Sequence, residues 1–211
     1  MRIILASTSP RRRDILALLG LPFEVHAPNF VETTRAHLAP EAEALELATG
    51  KARAVARAEH AALVIGGDTL IALDDEKIGK PESMEHAAAM LRRFSGRDHR
   101  ILTALALIDG ATGRETTHLE CVDVRMHPFT DADIAAYLAR GESMDKAGAY
   151  SIQGDGHRLI EHIQGDYLAA VGMPLRPIVQ YLQDVGAEVP VDVERLYGER
   201  SLWTWSRFAA L

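Results

Sequence analysis

The sequence predicts an α/β fold with a mixed, twisted sheet and flanking helices. Strand-like and helix-like segments alternate along the chain, which is the pattern of helices laid on a sheet. Two long strand-rich stretches, HRILTALALID and TTHLECVDVRM, are joined only by GATG, a hairpin connection that makes the middle of the sheet antiparallel. A chain of 211 residues, 47% hydrophobic and 25% charged, can bury a substantial core as one domain, or as one domain with two lobes round a cleft.

Each element has a local reason. RIILAS (2 to 7) is a short buried-type strand, and Ser9 followed by Pro10 gives an N-cap with proline at the first helical position. Ile15, Leu18 and Leu19 supply one apolar face, and Gly20 stops that helix. FEVHAP reads as a second strand, and residues 40 to 60 as a long alanine-rich amphipathic helix containing Gly50. ALVIGGDT is a third buried strand expected to end at Asp68, followed by a hairpin turning at Asp74 and Asp75. A helix capped by Ser83 and ended by Gly96 precedes the two long strands, and DADIAAYLARG follows them as another helix. The stretch DKAGAYSIQGDGHRLIEHIQGDYLAAVGMP is glycine-rich and thinly periodic, as a site-forming region would be, and PLRPIVQYLQDVG closes as a helix. Residues 187 to 211 hold both tryptophans, Trp203 and Trp205, and are expected to dock on the body or on a second subunit.

Bulk charge excludes some partners. A net charge of -7 argues against a nucleic-acid coat or an anionic membrane surface, so any basic site must be local. The one cysteine, Cys121, excludes an internal disulfide and a cysteine-based zinc cluster; its expected role is packing within a strand. MRIIL is too short for a secretory apolar region, and AALVIGGDTLIAL is interrupted by Asp68 and cannot span a bilayer. These features together predict a cytoplasmic protein.

Arg11, Arg12 and Arg13 stand at the start of a helix, whose N-terminus already disfavours each cation by roughly 0.3 to 1 kcal/mol. Consecutive helical residues are rotated by about 100°, so the three cannot share one direction. One or two can face a ligand while another is solvated beside Asp14. They coincide with Ser7, Thr8 and Ser9 at a strand-to-helix junction, where hydroxyls and free N–H groups converge. A bound anion would make this cluster favourable, and arginine's forked donors suit phosphate oxygens.

Familiar phosphate and metal motifs are missing. No G-x-x-x-x-G-K-[ST] occurs, GDGHRL lacks the third glycine of a dinucleotide fingerprint, HRLIEH is one residue too long for an inverted zincin, and HLE has no P-C-x-x-C to complete a deaminase site. What remains is charge at element ends: Asp68 after LVIGG, Glu32 in the loop after the second strand, Lys51 in the long helix, and Lys80 in IGKP.

Six blocks, LASTSPRRRDIL, TGKARAVA, IGGDTLIALDDEKIGKP, FSGRDHRILTALALI, DKAGAYSIQGDG and GDYLAAVGMPL, resemble in order and spacing the motifs of the Maf family of nucleoside triphosphate pyrophosphatases, from about residue 2 to residue 185. That resemblance implies an α/β fold with a deep cleft, related to the inosine triphosphatase architecture, and a homodimer. It implies cleavage of a nucleoside triphosphate to the monophosphate and pyrophosphate with a divalent cation, Mg2+ or Mn2+. Carried over by position, Asp68 is the general base, and Ser7, Arg11, Arg12, Glu32, Lys51 and Lys80 surround phosphates and metal. Magnesium needs a few carboxylate oxygens besides phosphates and waters, which Glu32 and Asp68 would supply, while Lys51 and Lys80 act with the base. Attack at the α-phosphorus is the expected chemistry.

The dTTP- and UTP-preferring branch resembles this chain at Arg11, Thr69 and Gln153. Glutamine offers one donor and one acceptor, which meets the alternating carbonyl and N–H edge of uracil or thymine; a glutamate would suit guanine. The alternatives are a 7-methyl-GTP or broad-range pyrophosphatase, and a nucleotide-binding regulator of septum formation in cell division. Two departures stand out: Gly67 occupies a position where alanine is frequent, and the tail after Gly186 is longer than the family pattern. The implied organisation is a nucleotide pyrophosphatase domain over 1–186 and an extension of unassigned role over 187–211.

Overall fold

The computed structural model describes residues 1–33, 35 and 37–198; Trp203 and Trp205 lie outside the described residues. Its strands are β1 (Arg2–Ala6), β2 (Glu24–His26), β3 (Ala62–Leu73), β4 (Glu76–Ile78), β5 (Asp98–Asp109), β6 (Glu115–Met126) and β7 (Ile160–Gln164). They form one sheet in the order β2-β1-β3-β5-β6-β7, with β4 paired to the far end of β3. β1 runs parallel to β2 and β3, whereas β3, β5, β6 and β7 pair antiparallel, so the sheet is mixed.

The helices are α1 (Pro10–Ala17), α2 (Pro40–Ala56), α3 (Met84–Phe94), α4 (Asp131–Leu138), α5 (Tyr167–Val171), α6 (Arg176–Asp184) and α7 (Val193–Gly198). Local signals set their ends. Ser9 caps α1 and accepts from the Arg12 N–H, Ser83 caps α3, and Thr130 and Asp133 form a capping box on α4. α2 has no side-chain cap, but Pro40 opens it and Glu41 and Glu43 complement its dipole.

Alternation along β1 sends Ile3 and Leu5 to one face of the sheet and Ile4 and Ala6 to the other, and each face has its own core. The larger core lies under α1, α3, α4 and α6. The smaller one is built of alanines, Ala44, Ala48 and Ala52 of α2 against Ala104 and Ala106 of β5. Small residues bring α2 unusually close to the sheet. At Gly66 a β-carbon would stand 2.5 Å from the Ala48 carbonyl oxygen and 2.8 Å from the Ala52 nitrogen, so only glycine admits the helix backbone there. A glycine in a strand costs about 0.5 to 1 kcal/mol. Burial of flanking Ile65 and Val64, each worth roughly 2 kcal/mol, outweighs it.

Three expectations need correction. β3 does not end at Asp68; it continues to Leu73, because β5 pairs with it through Ala72↔Arg100. β1, by contrast, stops at Ala6 opposite Gly66. Asp68 therefore lies mid-strand, just past the end of its neighbour β1, where the sheet opens beside it. Cys121 is exposed rather than packed. The glycine-rich stretch also holds regular structure that its weak periodicity hid, namely β7, α5 and two 3₁₀ turns at Ala147–Ala149 and Gly154–Leu159.

Candidate active site

The cleft beside the end of β1 has a cavity of about 650 Å³ at its mouth, sharing much of its wall with a deeper one of about 500 Å³. One wall carries Ser7, Arg11, Arg12 and Lys51; the opposite wall carries Lys80, Glu142, Lys146 and Gln153. Asp68 and Thr69 line the deeper part. All nine residues singled out in the sequence for the site thus line this cleft.

The close seat of α2 on Gly66 brings Lys51 to Asp68. The Lys51 ammonium donates to Asp68 Oδ1 at 2.6 Å and pairs with Glu32 Oε1 at 2.8 Å. Lys51 and Asp68 are 7% and 6% exposed, so this pair is screened little by water. Glu32 arrives from an open loop anchored by Phe30, whose ring packs flat enough on Gly50 of α2 that a β-carbon there would meet it at 2.4 Å.

The three arginines diverge as helical geometry requires. Arg13 is exposed and pairs with Asp14 at 3.0 Å. Arg12 turns inward and is held by neutral oxygens: Nε donates to the Gly172 carbonyl at 3.0 Å, Nη1 to Ser7 Oγ at 3.4 Å and Nη2 to Thr69 Oγ1 at 3.2 Å. No carboxylate of the described residues lies within ion-pair distance of it. Burial works against its charge, and the more distant Asp68 and Glu32 support it. At Gly67, where the resembled family frequently has alanine, an added β-carbon would stand 3.2 Å from Arg12 Nε, so the glycine gives this side chain room.

Arg11 also lines the cleft, and burial lowers its pKa with only Asp145 opposing. Arg11 and Lys80 make no hydrogen bond or ion pair among the described residues. Gln153 is 6% exposed, and its amide nitrogen has no hydrogen-bond partner among the described residues. Thr69 is doubly engaged, meeting Arg12 and, at 3.0 Å, Thr103 Oγ1.

Sequence reasoning missed Glu142, Asp145 and Lys146, all in the wall opposite α1. The run GESMDKAG carried a usable signal: three charges beside a glycine turn in a stretch already read as site-forming. Thr103 gave none, since a threonine inside an apolar strand is ordinary until its partners are known.

The two carboxylates suit a metal ion as a pair rather than as a closed set. Among the described residues no three His, Cys, Asp or Glu side chains gather as ligands. Glu32 and Asp68 nevertheless meet on one cation, the Lys51 ammonium, which stands where a divalent ion completed by phosphates and waters would need them. No helix among the described residues is long and apolar enough to cross a membrane.

The chain matches the family described as Maf-like protein over residues 2–185. It is 44% identical over 189 residues to a dTTP/UTP pyrophosphatase of Moorella thermoacetica, covering 89% of this chain and 97% of that protein. A dTTP/UTP pyrophosphatase of Bacillus velezensis is 41% identical over 183 residues, covering 87% and 96%. Among solved structures, the Staphylococcus aureus Ham1 protein aligns with a TM-score of 0.48 at 15% identity, over 76% of this chain and 80% of that one. A nucleoside-triphosphatase, dITP/XTP pyrophosphatase, of Mycobacterium abscessus aligns with a TM-score of 0.45 at 16% identity, over 90% and 100%.

Proposed function

The chain belongs to the Maf family, and from that membership we propose that it is a nucleoside triphosphate pyrophosphatase that cleaves dTTP and UTP to the nucleoside monophosphate and pyrophosphate. The observation that carries this reading is the pair Arg11 and Lys80, cations that form no ion pair among the described residues, Arg11 feeling only the more distant Asp145. They face one cleft with Asp68 in a chain of net charge -7. An acidic protein that leaves two cations of one cleft without an ion pair among the described residues is arranged for a polyanion.

Arg11, Arg12 and Lys80 hold the triphosphate tail and neutralise the departing pyrophosphate. Asp68 orients a water in line with the α-phosphorus and accepts its proton through the carboxylate that Lys51 now fixes. Glu32 and Asp68 would hold a divalent cation, Mg2+ or Mn2+, which when bound supplies charge neutralisation and orientation of the phosphates. Gln153 reads the base edge with the amide that has no protein partner. A homodimer in the cytoplasm belongs to the same reading, and light scattering of the purified chain with fractionation of cells tests it.

The deciding assay offers each triphosphate with magnesium or manganese to the native chain and to Asp68→Asn. The expected result is pyrophosphate and monophosphate from dTTP and UTP with the native chain only, and oxygen from labelled water in the monophosphate. Orthophosphate release contradicts attack at the α-phosphorus, and preference for 7-methyl-GTP contradicts the role of Gln153. Absence of turnover with every nucleotide returns the protein to a binding regulator.

A further inference from the structure

α5 is the element that holds the phosphate-facing Arg12. Its Gly172 and Ala169 carbonyls are both committed to the site: Gly172 accepts Arg12 Nε at 3.0 Å, and Ala169 accepts Thr103 Oγ1 at 2.7 Å. Proton direction then runs one way. Thr103 has one hydroxyl proton and gives it to Ala169, so the Thr69 hydroxyl donates to Thr103, and its lone pairs face Arg12 Nη2. The carbonyls of Ala169 in α5 and of Gly172 at its C-cap therefore accept two bonds, one from Arg12 itself and one from Thr103, which accepts in turn from the Thr69 that receives Arg12.

A helix of five residues, Tyr167–Val171, is far too short to be stable alone. Its first turn is tied by Asp166, whose Oδ1 accepts the Ala169 N–H at 3.1 Å. The other oxygen of that buried carboxylate, Oδ2, accepts the Tyr197 hydroxyl at 2.7 Å, and the same hydroxyl accepts the Leu175 N–H at 3.0 Å. Tyr197 thereby grips α5 from both sides, before its start and after its end. Its ring is fixed in turn by Arg176, whose guanidinium lies 3.7 Å from the ring centre and binds Glu194 at 2.7 and 2.8 Å. Tyr197 lies beyond residues 2–185, the span that matches the family.

We propose that Tyr197 is a positioning residue for nucleotide binding: α7 latches onto Asp166, sets the height of α5, and so places the Arg12 guanidinium for the phosphates. The claim gives the extension after residue 186 a role and rests on the reading of the cleft as a nucleotide site.

The test measures binding of α,β-imido-dTTP by titration calorimetry to the full chain and to Tyr197→Phe, Asp166→Asn, Arg12→Ala and the Tyr197→Phe/Arg12→Ala double variant. Tyr197→Phe removes one oxygen and is expected to weaken binding roughly 2- to 30-fold, the range for coupling through packed contacts. Asp166→Asn keeps an oxygen for the Ala169 N–H but loses the acceptor for Tyr197, and should weaken binding comparably; it carries the same test if Tyr197→Phe does not fold. In the Arg12→Ala background the Tyr197 change should have no further effect. A general loss of stability would act with or without Arg12, so equal fractional losses in both backgrounds overturn the latch. So does native affinity in both Tyr197→Phe and Asp166→Asn. If Arg12→Ala itself binds as tightly as the native chain, the nucleotide reading of the cleft falls and the latch with it.

Discussion

Replacing Lys51 by methionine separates the two jobs of this residue. The change keeps an unbranched apolar side chain at this α2 position and removes the ammonium. Asp68, 6% exposed, loses the cation now 2.6 Å away, whereas Glu32, with a side chain 58% exposed, stays solvated. Leaving one charge of a buried pair uncompensated costs about 3 to 5 kcal/mol; the exposed Glu32 contact adds well under about 1 kcal/mol. For a chain of this size each kcal/mol shifts the melting temperature by about 2 to 4 °C, so a loss of roughly 6 to 20 °C is expected in chelator at neutral pH. Differential scanning calorimetry measures it. Two further outcomes identify the cause. Millimolar magnesium should raise the melting temperature of Lys51→Met more than that of the native chain, because the ion takes the place of the lost ammonium. Adding Asp68→Asn should restore part of the stability, because no buried charge is then left unpaired. A variant that melts with the native chain in chelator, or that gains no more from magnesium, refutes the reasoning.

Gly50→Ala would ordinarily gain about 1 kcal/mol in a helix interior. Here the new methyl group would stand 2.4 Å from the Phe30 ring, so that ring must turn away and its anchorage of the loop carrying Glu32 is lost; kcat should fall and the magnesium requirement rise, with helix content by circular dichroism unchanged. Arg13→Ala should leave KM for dTTP within about twofold of native, since its exposed pair with Asp14 is weak, whereas Arg12→Ala should raise KM by at least about tenfold. His99, buried against Phe94 and bonded to Tyr150 at 2.6 Å, has its pKa pushed down to about 4 by burial. The unfolded chain binds this proton near the ordinary histidine value of 6.5, so stability is full above that value and is lost as pH falls toward 4. Denaturant titration should show about 2 kcal/mol lost between pH 7 and pH 5 from this group alone, and His99→Phe should flatten that slope.

Elements with local punctuation were legible in the sequence. Ser9-Pro10, Ser83 and the Asp74-Asp75 turn act through bonds to residues a few places away, and the structure bears out each one. Boundaries set by a distant partner were not. β3 runs past Asp68 only because β5 is long enough to pair with it, and Asp68 lines the cleft because β1 stops short of it. Cys121 sits in β6 as expected, yet it is exposed there, which its strand position alone does not decide. Within the site, the charged residues could be picked out singly, but their partners could not. That Lys51 meets both carboxylates follows from the space at Gly66, and that Thr69 receives Arg12 follows from proton directions fixed at Ala169.

The pairing state of each cation divides the work of the cleft. Arg13 is already spent on Asp14 outside it, and Lys51 is committed to Asp68 and Glu32. Arg12 is fixed by neutral oxygens, which orient its charge without cancelling it. Arg11 and Lys80 form no hydrogen bond or ion pair among the described residues. An incoming polyphosphate can therefore engage Arg11, Arg12 and Lys80 without breaking an ion pair, and the attraction is local enough to act despite the acidic surroundings. Lys51 is different, because a phosphate or a divalent ion can reach it or its carboxylates only by exchange. Under the proposed function, binding therefore falls to cations that break no ion pair, and the end of the cleft at Lys51, Asp68 and Glu32 is the part that must rearrange when substrate arrives.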